Sequence, residues 1–210
     1  MRFRILNKSY LYDYREACKI TEGIDLFNEG STFKPKDEVE WWIKQIVANH
    51  STLRCIHFRL VDTRPKSVIM QIIRATKGHP QPEVQSSRPD WTGKERSSDP
   101  YEDKLFMQDH TAESFIEMAK QRLCNRTEEK TRKFMREMVD YLRCNKNPFL
   151  CAVGWCCVPA CCWLGSRCPE IKSCGLAPKY ADEVIHAYRL NNNIPLRTKQ
   201  EEAEETMERR

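Results

Sequence analysis

A chain of 210 residues with 40% apolar and 31% charged side chains has the make-up of an ordinary globular protein, long enough for one good-sized domain. No run approaches about 18 consecutive apolar residues, and MRFRILNKSY lacks the apolar core of a signal peptide, so neither a membrane span nor a secretory leader is expected and the cytoplasm is the expected location. The net charge of +5 is spread over intermingled Lys/Arg and Asp/Glu instead of one basic stretch interleaved with aromatics, so no nucleic-acid partner is expected.

Along the chain, MRFRILNKSY alternates charged and apolar residues and reads as a first strand. Tyr14 to Ile20 reads as a short helix, and GIDLFNEGSTFKP as a loop broken by glycines and a proline. Lys36 to His50 is a helix: Val39, Trp42, Ile43, Ile46 and Val47 recur at helical spacing. Leu53 to Asp62 alternates as a strand, with Cys55, His57, Arg59 and Val61 on one face. Over Pro65 to Arg74, Val68, Ile69, Ile72 and Ile73 fit a buried helix face with Pro65 in the first turn. Residues 78–101 hold four of the eleven prolines and read as a long loop.

Asp109 to Leu142 is helical, with Thr111 as a candidate N-cap, a break near Asn125-Arg126-Thr127, and Thr127 capping the second helix. A cysteine-rich segment follows over 151–175, then a helix from Pro178 to Leu190 and a charged solvated tail over 197–210. Residues 1–196 are expected to form a single domain, with no internal repeat.

Seven of the eleven cysteines lie between Cys151 and Cys174. The odd total, the adjacent pairs Cys156-Cys157 and Cys161-Cys162 and the missing leader argue against a secreted disulfide framework. Reduced thiols used as small buried hydrophobes fit best, and no metal is expected, because a Cys-x2-Cys pair is absent. Elsewhere, Arg74 and Arg88 flank a polar loop with Gln85, Ser86 and Ser87 beside the second arginine. A guanidinium fork matches a phosphate, hydroxyls add donors, and an amide can read a base edge, so a phosphorylated nucleoside fits these residue types. A surface loop whose arginines pair with Asp90 or Glu83 fits them too. Arg122 and Arg126 share a helix face, and His50 stands where it could be a helix-end cation or a ligand contact.

The order of these parts resembles the flavin-dependent thymidylate synthases. In NHSTLRCIHFRLVDTRPKSVIMQIIRAT, Ser51 falls on the family's Ser/Thr position and Gln71-Ile-Ile-Arg74 on its Gln-x-x-Arg; Ser86-Ser87-Arg88 falls on its Ser-x-Arg. FIEMAKQRLCNRTEEKTR falls on the family's late helix with Arg122 on its arginine, and SSRPDWTG and CVPACCWLGSRCPEIKSCG resemble a compact branch found in phages and mobile elements. The likeness covers about residues 1–175. It implies an α+β fold with a mixed sheet and packed helices, assembled as a homotetramer with sites at subunit junctions. It implies dUMP as substrate, FAD as cofactor, and methylenetetrahydrofolate and NADPH as co-substrates. By the same resemblance Gln71, Arg74, Gln85, Ser86, Ser87 and Arg88 would hold dUMP; Ser51, Arg74, Lys77 and Thr111 would contact FAD; and Arg122 would polarise the uracil ring as the catalytic residue. The family's Arg-His-Arg is Arg74-Ala75-Thr76 here, with Lys77 as the replacement cation, and its late-helix Asn-x-Arg is Thr111-Ala112-Glu113, with Glu117 at a second asparagine position. The alternative is a diverged member that binds a pyrimidine nucleotide without flavin chemistry.

Overall fold

Strands β1 (Arg2–Ile5), β2 (Phe58–Pro65), β3 (Glu83–Val84) and β4 (Asp103–His110) form a sheet in the order β1-β2-β4-β3 in the computed structural model. It describes residues 1–21, 38–49, 51–75, 82–93, 95, 97–169, 174, 175, 177 and 184. Every strand pairing is antiparallel, so the sheet of the described residues is not the mixed one expected. The burial pattern gives the reason. On β4, Lys104, Phe106, Gln108 and His110 are buried, while Asp103 and Leu105 are exposed and Met107 and Asp109 half-exposed. Such one-sided alternation belongs to an antiparallel sheet with one covered face; a parallel sheet needs helices on both faces.

The β2–β4 ladder runs from Phe58 opposite His110 to Pro65 opposite Asp103. On its outer face Arg59 lies directly across from Asp109, with Nε to Oδ1 at 2.6 Å and Nη2 to Oδ2 at 2.8 Å. The Arg59 guanidinium holds the Asp109 carboxyl below its usual range, outweighing partial burial, which acts the other way. A carboxylate lowered in the folded state stabilises above its unfolded pKa, about 3.9, and that contribution disappears as pH falls through the lower folded value. Asp109→Asn is therefore expected to be less stable than the parent at neutral pH, with the gap closing below about pH 4. Denaturant unfolding at several pH values checks this.

Around the sheet stand α1 (Tyr10–Thr21), α2 (Glu38–Ala48), α3 (Lys66–Ala75), α4 (Pro89–Thr92), α5 (Ala112–Arg122), α6 (Glu129–Arg143) and α7 (Pro148–Cys156); α8 (Ala160–Trp163) follows in the chain. The α3 face is as read: Val68, Ile69 and Ile72 are buried and Ile73 half-buried, though Pro65 ends β2 instead of opening the helix. Ser51–Cys55 is a 3-10 turn, so the strand expected from Leu53 begins at Phe58. Asp109 belongs to β4, and helix starts only after Thr111, whose Oγ1 accepts from the Ser114 N–H, the cap expected of it. The break before α6 is present, but Glu128 is the cap, its carboxylate accepting from Thr131 N at 2.9 Å and Oγ1 at 2.7 Å. The Thr127 hydroxyl instead donates to the Gln121 carbonyl at 2.8 Å and closes the end of α5.

The inner face of the sheet meets α5 and α7 through aromatic contacts. Phe58 lies 5.6 Å from Phe115 and 6.4 Å from Phe149 between ring centroids, and Phe149 lies 5.0 Å from Trp42 of α2. The chain divides into two compact units, Met1–Pro159 and Ala160–Arg210. In the second, α8 leads into a turn with Gly165 and Ser166 at φ 61° and 66°. The expected helix over 178–190, apart from Val184, and the tail over 197–210 lie outside the described residues. Among the described residues no helix is long and apolar enough to cross a membrane.

Candidate anion-binding site

Helices α3 and α5 pack against each other and both carry an arginine in the last turn, Arg74 and Arg122. Each is favoured there locally, because the partial negative charge of a helix C-terminus attracts cations. Together they are not favoured. Arg122 is half-buried, and burial first, then the charge of Arg74, pull its pKa below the usual arginine value. Its Nε is buried with no hydrogen-bond partner among the described residues, and neither arginine makes an ion pair among them. A buried donor left unmatched costs free energy. Two guanidiniums that feel each other, one of them partly dehydrated, make a site that a bound anion would complete. Gln71 stands one turn before Arg74, on the same face of α3, and is half-buried.

The other predicted substrate residues sit on the segment from β3 to α4. The Gln85 backbone N–H donates to the Leu105 carbonyl at 2.8 Å, and its side-chain Oε1 accepts from the Leu105 N–H at 3.2 Å. This amide thus extends the β3–β4 ladder by one residue. Ser86 Oγ accepts from the Arg88 N–H at 3.1 Å, and Ser87 is half-buried. Of the two carboxylates open to Arg88, it takes Asp90, with Nη2 to Oδ2 at 2.8 Å and Nε to Oδ1 at 3.3 Å. The Arg88 side chain is 57% exposed and Asp90 55%. So exposed a pair contributes only about 0–1 kcal/mol, and a phosphate can take the carboxylate's place at little cost.

Of the predicted cofactor contacts, Ser51 is exposed at the start of its 3-10 turn. Thr111 is buried and its hydroxyl is engaged in capping α5. Lys77 and His50 lie outside the described residues. The two carboxylates that depart from the family pattern are both neutralised. Glu113 receives a bidentate fork from Arg54 at 2.7 and 3.2 Å, and Glu117 pairs with Lys120 one turn on. Arg54 carried no sequence signal for this role, because its partner is distant in the chain.

All eleven cysteines are free thiols, and no group of three or more His, Cys, Asp or Glu suited to a metal occurs among the described residues. Cys156 and Cys157 are buried, and burial pushes the Cys156 thiol up to about 11 and that of Cys157 higher, so both behave as apolar side chains. Comparison with protein-family models, curated proteins and solved structures found no match for the chain.

Proposed function

We propose that the Arg74–Arg122 site binds the pyrimidine nucleotide dUMP and that the chain is a flavin-dependent thymidylate synthase. The observation that carries this reading is the half-buried Arg122, its Nε unmatched among the described residues, beside a second cation. It supports an anionic ligand, and the resemblance in the sequence specifies which one. In this reading Arg74, Ser86, Ser87 and Arg88 hold the phosphate, and Gln71 and Gln85 orient the nucleotide. Gln85 does so while its acceptor oxygen stays on β4. The Arg122 cation faces the ring and stabilises the negative charge that develops there during carbon transfer. A fixed cation in a water-poor site does this far better than one in bulk water.

The same cationic ground suits the phosphates of FAD, with Ser51 and Arg74 as the residues that would hold it. When bound, the flavin supplies reducing equivalents from NADPH and relays the carbon of methylenetetrahydrofolate. The Arg54–Glu113 and Lys120–Glu117 pairs remove the repulsion that bare carboxylates would exert on such a ligand. The assembly this reading carries is a homotetramer with sites completed at subunit junctions.

One observation favours a second reading, a nucleotide-binding protein without flavin chemistry: the Thr111 hydroxyl is engaged in the α5 cap. Absorbance and mass spectrometry of the purified protein separate the two. The first reading expects a retained, yellow oxidised flavin and dTMP formation from the full substrate set. Colourless protein that makes no dTMP with added FAD supports the second.

Arg88 gives a further check. Its exchange of Asp90 for a phosphate predicts that Arg88→Ala weakens dUMP binding by about 1.5–3 kcal/mol, the usual range for a charge-assisted hydrogen bond. Arg88→Lys is expected to recover only part, since the fork is lost. A binding titration with unchanged dUMP affinity in Arg88→Ala would remove this residue from the site.

A further inference from the structure

The sheet covers its inner face with helices, but on its outer face Arg2, Thr63 and Glu83 are exposed and Leu105 is 50% exposed. The strand register arranges this outer face in level rows. Arg2 lies opposite Val61, Val61 opposite Met107, and Met107 opposite Glu83. Across the four strands that row runs cation, apolar, apolar, carboxylate. Val61 and Met107 are half-exposed, and neither Arg2 nor Glu83 makes an ion pair among the described residues. Two residues along the β2–β4 ladder in one direction, Arg59 faces Asp109; two residues in the other, Thr63 faces Leu105.

We propose that this outer face is a two-fold interface with a second copy of the chain, the axis running parallel to the strands between β2 and β4. Such an axis lays β1 of one copy over β3 of the other and β2 over β4, and it keeps every row level. Arg2 then meets the second copy's Glu83, Val61 meets its Met107, and Thr63 meets its Leu105. The Arg59–Asp109 pair lies over the same pair reversed, so opposite charges face each other there too. A patch that complements itself in this way is what an isologous contact needs. An axis across the strands would instead lay β1 over β1 and set arginine against arginine. Sheets packed face to face stand about 10 Å apart with strand directions within about 30°. Apolar side chains then interdigitate in the middle while the long charged ones meet at the rim, as in protein interfaces generally. The nucleotide reading asks for an assembly without saying which surfaces meet, and the face assigned here depends on no ligand.

The test is sedimentation equilibrium of the purified full chain, kept reduced so that no intermolecular disulfide contributes. The parent is expected to be a dimer, or a larger assembly built from that dimer. Met107→Lys puts an ammonium in the dry centre of the contact and should cut the assembly to half its mass or less. Leu105→Lys should do the same at a position already 50% exposed in the single chain, where the fold tolerates it. Arg2→Glu should weaken association about tenfold or more, because like charges then meet twice in each interface. Arg2→Glu combined with Glu83→Arg should restore it, a rescue that loss of fold cannot imitate. A monomeric parent at micromolar concentration overturns the proposal. So does a parent mass kept by both lysine variants, or a double charge exchange that associates no better than Arg2→Glu alone. Nucleotide binding is measured separately, so this face and the nucleotide reading can fail independently.

Discussion

Replacing Arg122 by alanine is expected to slow conversion of dUMP by about a hundredfold or more while leaving the fold as stable as before or more so. The first half rests on the proposed reading, in which the half-buried Arg122 cation faces the pyrimidine ring. Loss of one donor aimed at developing negative charge typically raises the barrier by about 2.7–4 kcal/mol. The second half follows from the cost of that placement. Burial and the charge of Arg74 both disfavour the Arg122 cation in the folded chain, and its Nε has no partner among the described residues. Deleting it relieves all three, the usual trade between stability and a working site. Flavin retention should change little, because it needs no charge on the pyrimidine. Single-turnover conversion of dUMP by pre-reduced enzyme reads the first effect, and thermal unfolding reads the second. If the alanine variant converts dUMP as fast as the parent, Arg122 is an ordinary helix-end arginine.

Gly154→Ala is expected to be the most damaging glycine-to-alanine change among the described glycines. An added Cβ would sit 2.6 Å from the Arg143 backbone nitrogen, 2.8 Å from Leu142 Cβ and 2.9 Å from the Leu142 carbonyl carbon. Two of those three atoms are main chain of α6, so no side-chain rotation clears the contact. Leu142 is fully buried, and Arg143 is tied to α7 twice: its Nε donates to the Gly154 carbonyl at 3.2 Å and its carbonyl accepts from the Cys151 thiol at 3.1 Å. Overpacking in cores commonly costs about 1–3 kcal/mol. With backbone as the obstacle, about 3 kcal/mol or more is expected. Urea unfolding measures it, and a variant within about 0.5 kcal/mol of the parent would mean that the two helices do not cross so closely.

Much of the fold was legible where burial follows a clean period. The alternation of β1 and the helical faces of α2 and α3 are legible directly, except that Val47 of α2 is exposed, and so is the break between α5 and α6. Strand β4 was not, because its covered face runs Lys104, Phe106, Gln108, His110 while its open face carries Leu105 and Met107. Polar groups inside and apolar groups outside cancel the two-residue hydropathy signal. Lys104 is tolerated there through its ion pair with Glu102 at 2.6 Å. Helix α7 was missed for the opposite reason: Phe149, Leu150, Ala152, Val153, Gly154 and Cys156 are buried around most of its circumference, so no polar face marks a period. Its start was readable in principle from Asn147 as N-cap followed by Pro148. At α6 two acceptable caps competed, and Glu128 prevailed because the Thr127 hydroxyl is used on Gln121.

For the site, sequence supplied residue types but not neighbours. Arg74 and Arg122 were both singled out, yet only the packing of α3 on α5 brings their charges within reach of each other. The pairing of Glu113 with Arg54 and the place of Gln85 in the β4 ladder likewise depend on contacts between distant segments.

The central claim of the proposed function is that Arg74 and Arg88 hold the phosphate of a pyrimidine nucleotide whose ring faces Arg122. Calorimetric titration of the purified full chain with dUMP, and separately with deoxyuridine, tests it most directly. The two ligands share base and sugar and differ only in the phosphate. The account predicts that dUMP binds about tenfold to a hundredfold more tightly or better, the difference made by one or two charge-assisted hydrogen bonds at about 1.5–3 kcal/mol each, and that Arg74→Ala and Arg88→Ala each erase part of it. Equal affinity for the two ligands, or no binding of dUMP at all, would contradict it.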